Sequence, residues 1–180
     1  MLIFYYMVKI RSVRTISRTG FSREEKGWFL AGFVEGEGSF NVSLRRKNDY
    51  KLGWQVVLSF NVSQKDKEIL ELLKKELNCG IIKVRKFDNL HSLDITNPNE
   101  IIHKVIPYFQ KFSLFSSGKR KNFEIFCQIT NLMKKGSHRT TNGLKKILKL
   151  REELNKGKAR KRKYEYDDVF PIRKSSETIC

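Results

Sequence analysis

Histidine, proline, methionine and cysteine each occur only three times in the 180 residues. Cys79, Cys127 and Cys180 are far apart, odd in number and never form a Cys-x-x-Cys pair. That excludes a disulfide framework and a zinc knuckle, and makes a reducing compartment the default. His91, His103 and His138 are equally scattered, so nothing supports an imidazole metal centre. No apolar run approaches the ~20 residues needed to span a bilayer. Acid is scarce too. Nineteen Asp and Glu stand against 37 Lys and Arg, giving a net charge of +18. Before Glu24 there is no acid at all, while Lys9, Arg11, Arg14, Arg18 and Arg23 lie among Ser and Thr.

What is present is enough to fold. With 39% hydrophobic and 12% aromatic residues the chain can bury a core, so global disorder is excluded. The length suits one domain, expected over residues 22–155, between a basic N-terminal extension (1–21) and a basic C-terminal tail (156–180) that includes "KGKARKRK". The charge excess favours a polyanion, because Lys and Arg contacts to phosphates release condensed counterions. Nucleic acid is favoured over an anionic membrane surface. Three readings stand for the N-terminal extension: an organellar transit peptide, a basic arm on nucleic acid, or a plain leader.

Ser22 and Glu25 fit a capping box that starts a helix running to residue 35 or 36, where Gly36 and Gly38 stop it. From Ser39 the pattern changes to period two. Phe40, Val42 and Leu44 share one side; Ser39, Asn41, Ser43 and Arg45 share the other. The segment from Lys47 to Tyr50 reads as a hairpin connection. A longer strand follows, with Trp54, Val56, Leu58, Phe60 and Val62 on one face and Gln55, Val57, Ser59, Asn61 and Ser63 on the other. A helix over 65–77 would bury Ile69, Leu70, Leu72, Leu73 and Leu77, with Gly80 as its left-handed cap. A second hairpin spans 81–96. Ile82, Val84, Leu93 and Ile95 point to the core; Lys83, Arg85, Ser92 and Asp94 point away. Pro98 opens a further helix at a position where its missing N–H does no harm, and helices over 119–134 and 141–155 complete the order.

The polar strand face can be a solvated sheet surface, or it can touch DNA, since a two-stranded ribbon fits the major groove. With the charge excess, contact is favoured. The candidate contacts are Ser39, Asn41, Ser43, Arg45, Lys47, Gln55, Ser59, Asn61, Lys83, Arg85, Ser92 and Asp94.

The stretch "WFLAGFVEGEGSFNV" ends an apolar helix on two acids, Glu35 and Glu37. Acids at a helix C-terminus oppose the macrodipole, so something positive should compensate. A divalent cation fits: Glu37 offers a carboxylate oxygen, and the Gly36 carbonyl offers a second hard ligand. Phosphates drawn in by the basic face would share that ion, the arrangement needed for hydrolytic strand cleavage. Gly32 and Gly36, with Ala31 adjacent, form a flat strip. On spacing alone, packing inside the domain and packing against a second copy across a two-fold axis stand level.

"LAGFVEGEGSF", residues 30–40, resembles the signature of LAGLIDADG homing endonucleases in order and register. "LSFNVSQKD" (58–66) is similar to the family's second strand, and "SSGKRKNFEIF" (116–126) to its lysine-bearing segment. The resemblance covers roughly residues 22–135 and one signature copy, which implies a homodimer. It implies an α+β fold of αββαββα order, with an antiparallel saddle-shaped sheet and helices on one face. It further implies Glu37 as the essential metal-binding acid with the Gly36 carbonyl, Glu35 as a more structural acid, and Gln64 as the residue that orients water. Lys119 is then the basic residue near the scissile phosphate, with Lys121 as its alternative, and Ala31, Gly32 and Gly36 form the dimer interface. The expectation is a homodimeric, Mg²⁺-dependent endonuclease (Mn²⁺ as a substitute) on long, near-palindromic double-stranded DNA. No membrane contact is expected, and residence is organellar. An intron RNA maturase and a non-catalytic DNA-binding protein are the rivals.

Overall fold

The computed structural model describes residues 20–156 and 162–171. Lys9, Arg11, Arg14, Arg18, Cys180 and most of "KGKARKRK" lie outside the described residues, so the expectations placed on them are not addressed.

Helix α1 spans Arg23–Glu37 and opens on the expected capping box: Ser22 Oγ accepts from the Glu25 N–H at 3.2 Å, and Glu25 Oε2 accepts from the Ser22 N–H at 2.8 Å. The helix runs on to Glu37, so Gly36 lies inside it and Gly38 alone ends it. Strand β1 (Gly38–Arg46) begins without a connecting residue. A Cβ at Gly38 would lie 2.7 Å from the Val34 carbonyl oxygen and 2.4 Å from a Val34 methyl, so glycine is what permits so abrupt a reversal.

Strand β2 is Trp54–Gln64 and helix α2 is Lys67–Leu77, capped by Asp66. The left-handed cap of α2 is Asn78, at φ 49°, where Gly80 was expected. Asn tolerates this conformation at modest cost, and Gly80 takes a second positive φ of 90° two residues later. Strands β3 (Ile81–Val84) and β4 (His91–Ile95) follow. Next comes a helical segment that starts as α3 (Pro98–Glu100), widens to a π turn over Ile101–Val105 and continues as α4 (Ile106–Lys111). Helix α5 is Ser117–Lys134 and α6 is Thr141–Glu153. A short α7 (Tyr166–Val169) lies in the C-terminal segment. Tyr164, Tyr166, Val169 and Phe170 pack on the core, so this part of the expected tail folds against the domain.

The four strands form one antiparallel sheet in the order β1-β2-β4-β3. Its alternation is kept along β1 and β2, where every even-numbered residue from Phe40 to Leu44 and from Trp54 to Val62 is buried. Phe40 sits at the centre, its ring 5.1 Å from Phe60, 5.7 Å from Phe109, 5.1 Å from Phe123 and 5.3 Å from Phe126. Each such ring contributes roughly 1.5–3 kcal/mol on burial, which anchors β1 three residues beyond Glu37. The alternation fails in β3. Ile82 is half-buried, but Val84, the last residue of this short edge strand, is 53% exposed. Among the described residues no helix is long and apolar enough to cross a membrane.

Candidate active site and nucleic-acid interface

The α1–β1 junction gathers the predicted chemistry. Glu37 is the last residue of α1 and is exposed. Gly38 pairs with Val62, so Gln64, two residues further along β2, lies at the same end of the sheet. Its Oε1 accepts from the adjacent Lys65 N–H at 2.8 Å. Lys119, on the first turn of α5, donates from Nζ to the Gly38 carbonyl at 2.6 Å. Lys121, two residues on, faces away from the junction and approaches Glu153 at 4.0 Å.

Glu35 and Glu37 have different surroundings. Glu35 accepts from the Phe115 N–H at 2.8 Å, from the Ser116 N–H at 3.3 Å and from Ser116 Oγ. Ser116 is the N-cap of α5, so Glu35 places a negative charge where the helix dipole favours one. Burial opposes ionisation of Glu35. The Ser116 hydroxyl, the Phe115 and Ser116 N–H groups and the nearby Lys119 charge outweigh it and hold the carboxyl below its ordinary value. Among the described residues Glu37 has no such donors. No three His, Cys, Asp or Glu cluster as a metal cage among the described residues.

One face of α1 turns inward through Gly27, Leu30, Ala31 and Val34. Ala31 is only 3% exposed, which corrects its expected place in a dimer interface: one residue along the helix is a rotation of ~100°, enough to carry it into the core. Gly32 and Gly36 are exposed, with open space where a Cβ would stand. Trp28 and Phe29, 52% and 53% exposed, lie on the same stripe. Sequence reasoning missed both. The signal was that residues 28–34 are apolar on every face, too greasy for a helix that buries one side.

The sheet registers place the polar residues together, with Ser39 opposite Asn61, Asn41 opposite Ser59 and Arg45 opposite Gln55. Asn61 also faces Asp94, and Lys83 faces Ser92. Lys47 lies in the β1–β2 connection. Arg85 lies just past β3 in a turn, bonded to Asp88 at 2.9 Å. At the β1 side, Ser39, Asn41, Ser43, Ser59 and Asn61 line an open cleft of about 700 Å³, walled by Arg151, Asn155, Lys156, Arg162, Lys163 and Tyr164. Arg151 is 2% exposed. It donates from Nε to Val42 O at 3.1 Å and from Nη2 to Tyr164 O at 2.6 Å. A charge in the apolar stripe Leu144, Ile147, Leu148 of α6 was the sequence signal for it.

Residues 30–130 match the LAGLIDADG endonuclease family. The chain belongs to that family. It is 35% identical over 152 residues to the probable intron-encoded endonuclease 2 of Neurospora crassa, covering 81% of this chain but 33% of that protein. The DNA endonuclease I-CeuI of Chlamydomonas moewusii is 30% identical over 157 residues, covering 84% of this chain and 72% of that one. The archaeal intron-encoded homing endonuclease I-Vdi141I, solved in complex with DNA, superposes with a TM-score of 0.76 at 33% identity, over 83% of this chain and 94% of that one. Within this LAGLIDADG domain the signature helix is therefore α1. Its two acids lie two residues apart, on different sides of the helix: one is held by α5, the other stands open at the sheet end.

Proposed function

We propose that this LAGLIDADG protein is a site-specific endonuclease that hydrolyses both strands of a long, near-palindromic DNA duplex as a homodimer. The observation that carries the reading is the exposed Glu37 at the α1–β1 junction, beside Lys119 and at the end of an unpartnered apolar stripe. Packing the stripe of Trp28, Phe29, Gly32 and Gly36 against its copy brings two Glu37 carboxylates together, and like charges at two helix C-termini call for a cation. Glu37 and the Gly36 carbonyl fit a hard divalent ion, Mg²⁺ or Mn²⁺, by their oxygen donors. Since one chain lacks a third acidic ligand nearby among the described residues, the remaining ligands would come from the second copy and DNA phosphates. Such an ion polarises the phosphoryl oxygen and lowers the pKa of bound water. Gln64 would orient the attacking water, and Lys119 would offset charge on the phosphate. The polar face carries the DNA contacts, with phosphate contacts supplying affinity and base contacts supplying preference. Intron-encoded origin and organellar residence belong to the same reading.

Glu37→Gln tests it. The amide keeps the size and loses the charge, so cleavage should fall at least a hundredfold, as loss of several kcal/mol of transition-state stabilisation requires. Duplex binding should persist. The measurement is end-sequencing of products from a randomised duplex library with Mg²⁺ and with EDTA. Cleavage by Glu37→Gln at the wild-type rate would remove Glu37 from the chemistry. Tight binding with no cuts by the wild type would favour the maturase or non-catalytic reading instead.

A further inference from the structure

A single chain of side-chain contacts crosses the polar face through all four strands. Lys83 on β3 pairs with Asp94 Oδ2 on β4 at 2.9 Å. Asn61 Nδ2 on β2 donates to Asp94 Oδ1 at 2.7 Å. Asn41 Nδ2 on β1 donates to Asn61 Oδ1 at 3.4 Å. Beyond the sheet, Asn155 Nδ2 donates to Asn41 Oδ1 at 3.3 Å, and Asn122 Nδ2 on α5 donates to Asn155 Oδ1 at 3.1 Å. The register explains the path. Asn61 stands directly opposite Asp94, and Asn41 is its diagonal neighbour on the other side.

The chain has a direction, and Asp94 sets it. An ionised carboxylate only accepts, whereas an amide both donates and accepts. Facing Asp94, Asn61 must turn its NH₂ towards β4, which leaves its oxygen towards β1. That oxygen takes the NH₂ of Asn41, whose own oxygen then faces the β1 edge and receives Asn155. Ser39 Oγ also donates to Asn41 Oδ1, at 3.3 Å. Both lone pairs of that oxygen are thus occupied, and Asn41 has one N–H left to offer. Asn61 keeps one N–H and one lone pair.

We propose that Asp94 is a specificity-determining residue that acts through Asn61 and Asn41 by fixing the polarity of their amides. The β1–β2 face then offers N–H donors to acceptor atoms in the major groove, guanine O6 and N7 or thymine O4, over the amino groups of cytosine and adenine. An amide free to flip reads donors and acceptors alike. Lys83 neutralises Asp94, so the carboxylate can sit on this face without repelling phosphates. The inference rests on the endonuclease reading above.

The test compares wild type, Asp94→Asn, Asn61→Ser and their double variant in cleavage of a duplex library randomised across the half-site, each profile normalised to that variant's own best site. Asp94→Asn keeps the shape but can donate as well as accept. The ratio of best to worst base should fall roughly tenfold at one or two positions, the discrimination of one good amide contact. In the Asn61→Ser background the same change should add nothing. Lys83→Met leaves an acceptor-only carboxylate, so it should weaken binding across all sequences and keep the profile. In the free protein, the Asn61 side-chain amide should exchange with solvent faster in Asp94→Asn. An unchanged profile with Asp94→Asn, or an equal loss at every position, overturns the relay and leaves the nuclease reading standing. A wild-type protein that cuts no member of the library overturns both.

Discussion

The two outer edges of the sheet are finished in opposite ways. Strand β1 turns the carbonyls of Gly38, Phe40 and Val42 outward, and each receives a side-chain donor. Lys119 Nζ reaches Gly38 O at 2.6 Å, Asn155 Nδ2 reaches Phe40 O at 2.9 Å and Arg151 Nε reaches Val42 O at 3.1 Å. These donors come from α5, α6 and the turn after α6, so the helical layer is stitched to β1 at every second residue. Strand β3 has no such cover. It is four residues long, Ile81 and Val84 are 64% and 53% exposed, and Phe87 in the following turn is 95% exposed. Among the described residues no side chain donates to its outward carbonyls. Its defence against edge pairing is shortness and Lys83. The sealed edge is the one that carries Glu37 at its start. Positional precision has been placed where the proposed chemistry needs it, and the far edge is left loose.

The largest effect should come from breaking the seal. Arg151→Ala removes a buried guanidinium from two carbonyls, Val42 O and Tyr164 O, and leaves a cavity in the stripe of α6. Arg162 bonds the backbone carbonyls of residues 151 and 154 at 2.7 and 3.0 Å, and both acceptors remain in the variant, so the loss is confined to the contacts of the Arg151 side chain. Orphaned buried acceptors and lost packing together should cost about 2–4 kcal/mol, read as a drop in the urea midpoint. Arg151→Lys should recover less than half, because an ammonium lacks the fork that serves both carbonyls. A loss below about 0.5 kcal/mol would show that Arg151 is no part of the seal.

A smaller effect sharpens the same contrast through pH. Glu35 ties α1 to the N-terminus of α5, the helix that brings Lys119 to β1. Its pKa is depressed from the ordinary 4.5, so its contribution is present above that value and is lost as pH falls through the depressed one. At neutral pH, Glu35→Gln should be less stable than wild type by about 1 kcal/mol. The difference should close as the solution is acidified below the ordinary carboxylate range. A gap that stays constant from pH 7 to pH 3 would mean that Glu35 acts by shape alone. The measurement is the denaturation midpoint of both proteins across that pH range.

These two residues also show what could be read in advance. The capping box at Ser22 and the alternation of β1 and β2 were legible because each is set by neighbours in sequence. The seal on β1 was not. Lys119, Asn155 and Arg151 lie about a hundred residues from the carbonyls they meet, and no spacing announces such a contact. Period two gave the correct side for Val84 but says nothing about how closely that side is covered. In α1, residues apolar on every face cannot reveal which stripe turns inward, so Ala31 was placed with Gly32 although it faces the core. Glu35 and Glu37 stand two residues apart in the signature, yet their surroundings depend on where α5 ends up. The candidate site was legible as a set of residues; which of its acids α5 holds and which stands open depended on long-range packing.

The smallest expected effect is at the loose edge. Val84 shares the helix-side parity of β3 with Ile82, away from the polar face, and pairs with His91. Replacing it by Lys removes a half-exposed β-branched residue from a short edge strand and adds a charge next to Lys74 and Lys75 of α2, which line the same shallow groove. The lost apolar burial is small, and like charges at exposed sites repel weakly under salt. The stability change should therefore stay within about 0.5 kcal/mol, against several times that for Arg151→Ala. Cleavage should be unchanged, since Val84 belongs to neither the junction nor the polar face. What should move is self-association through the β3 edge. Sedimentation at low salt should show less concentration-dependent aggregation in Val84→Lys, because an added charge makes a bare edge harder to pair. If Val84→Lys instead cost as much as Arg151→Ala, β3 would have to be covered in solution, and the contrast between the two edges would be lost.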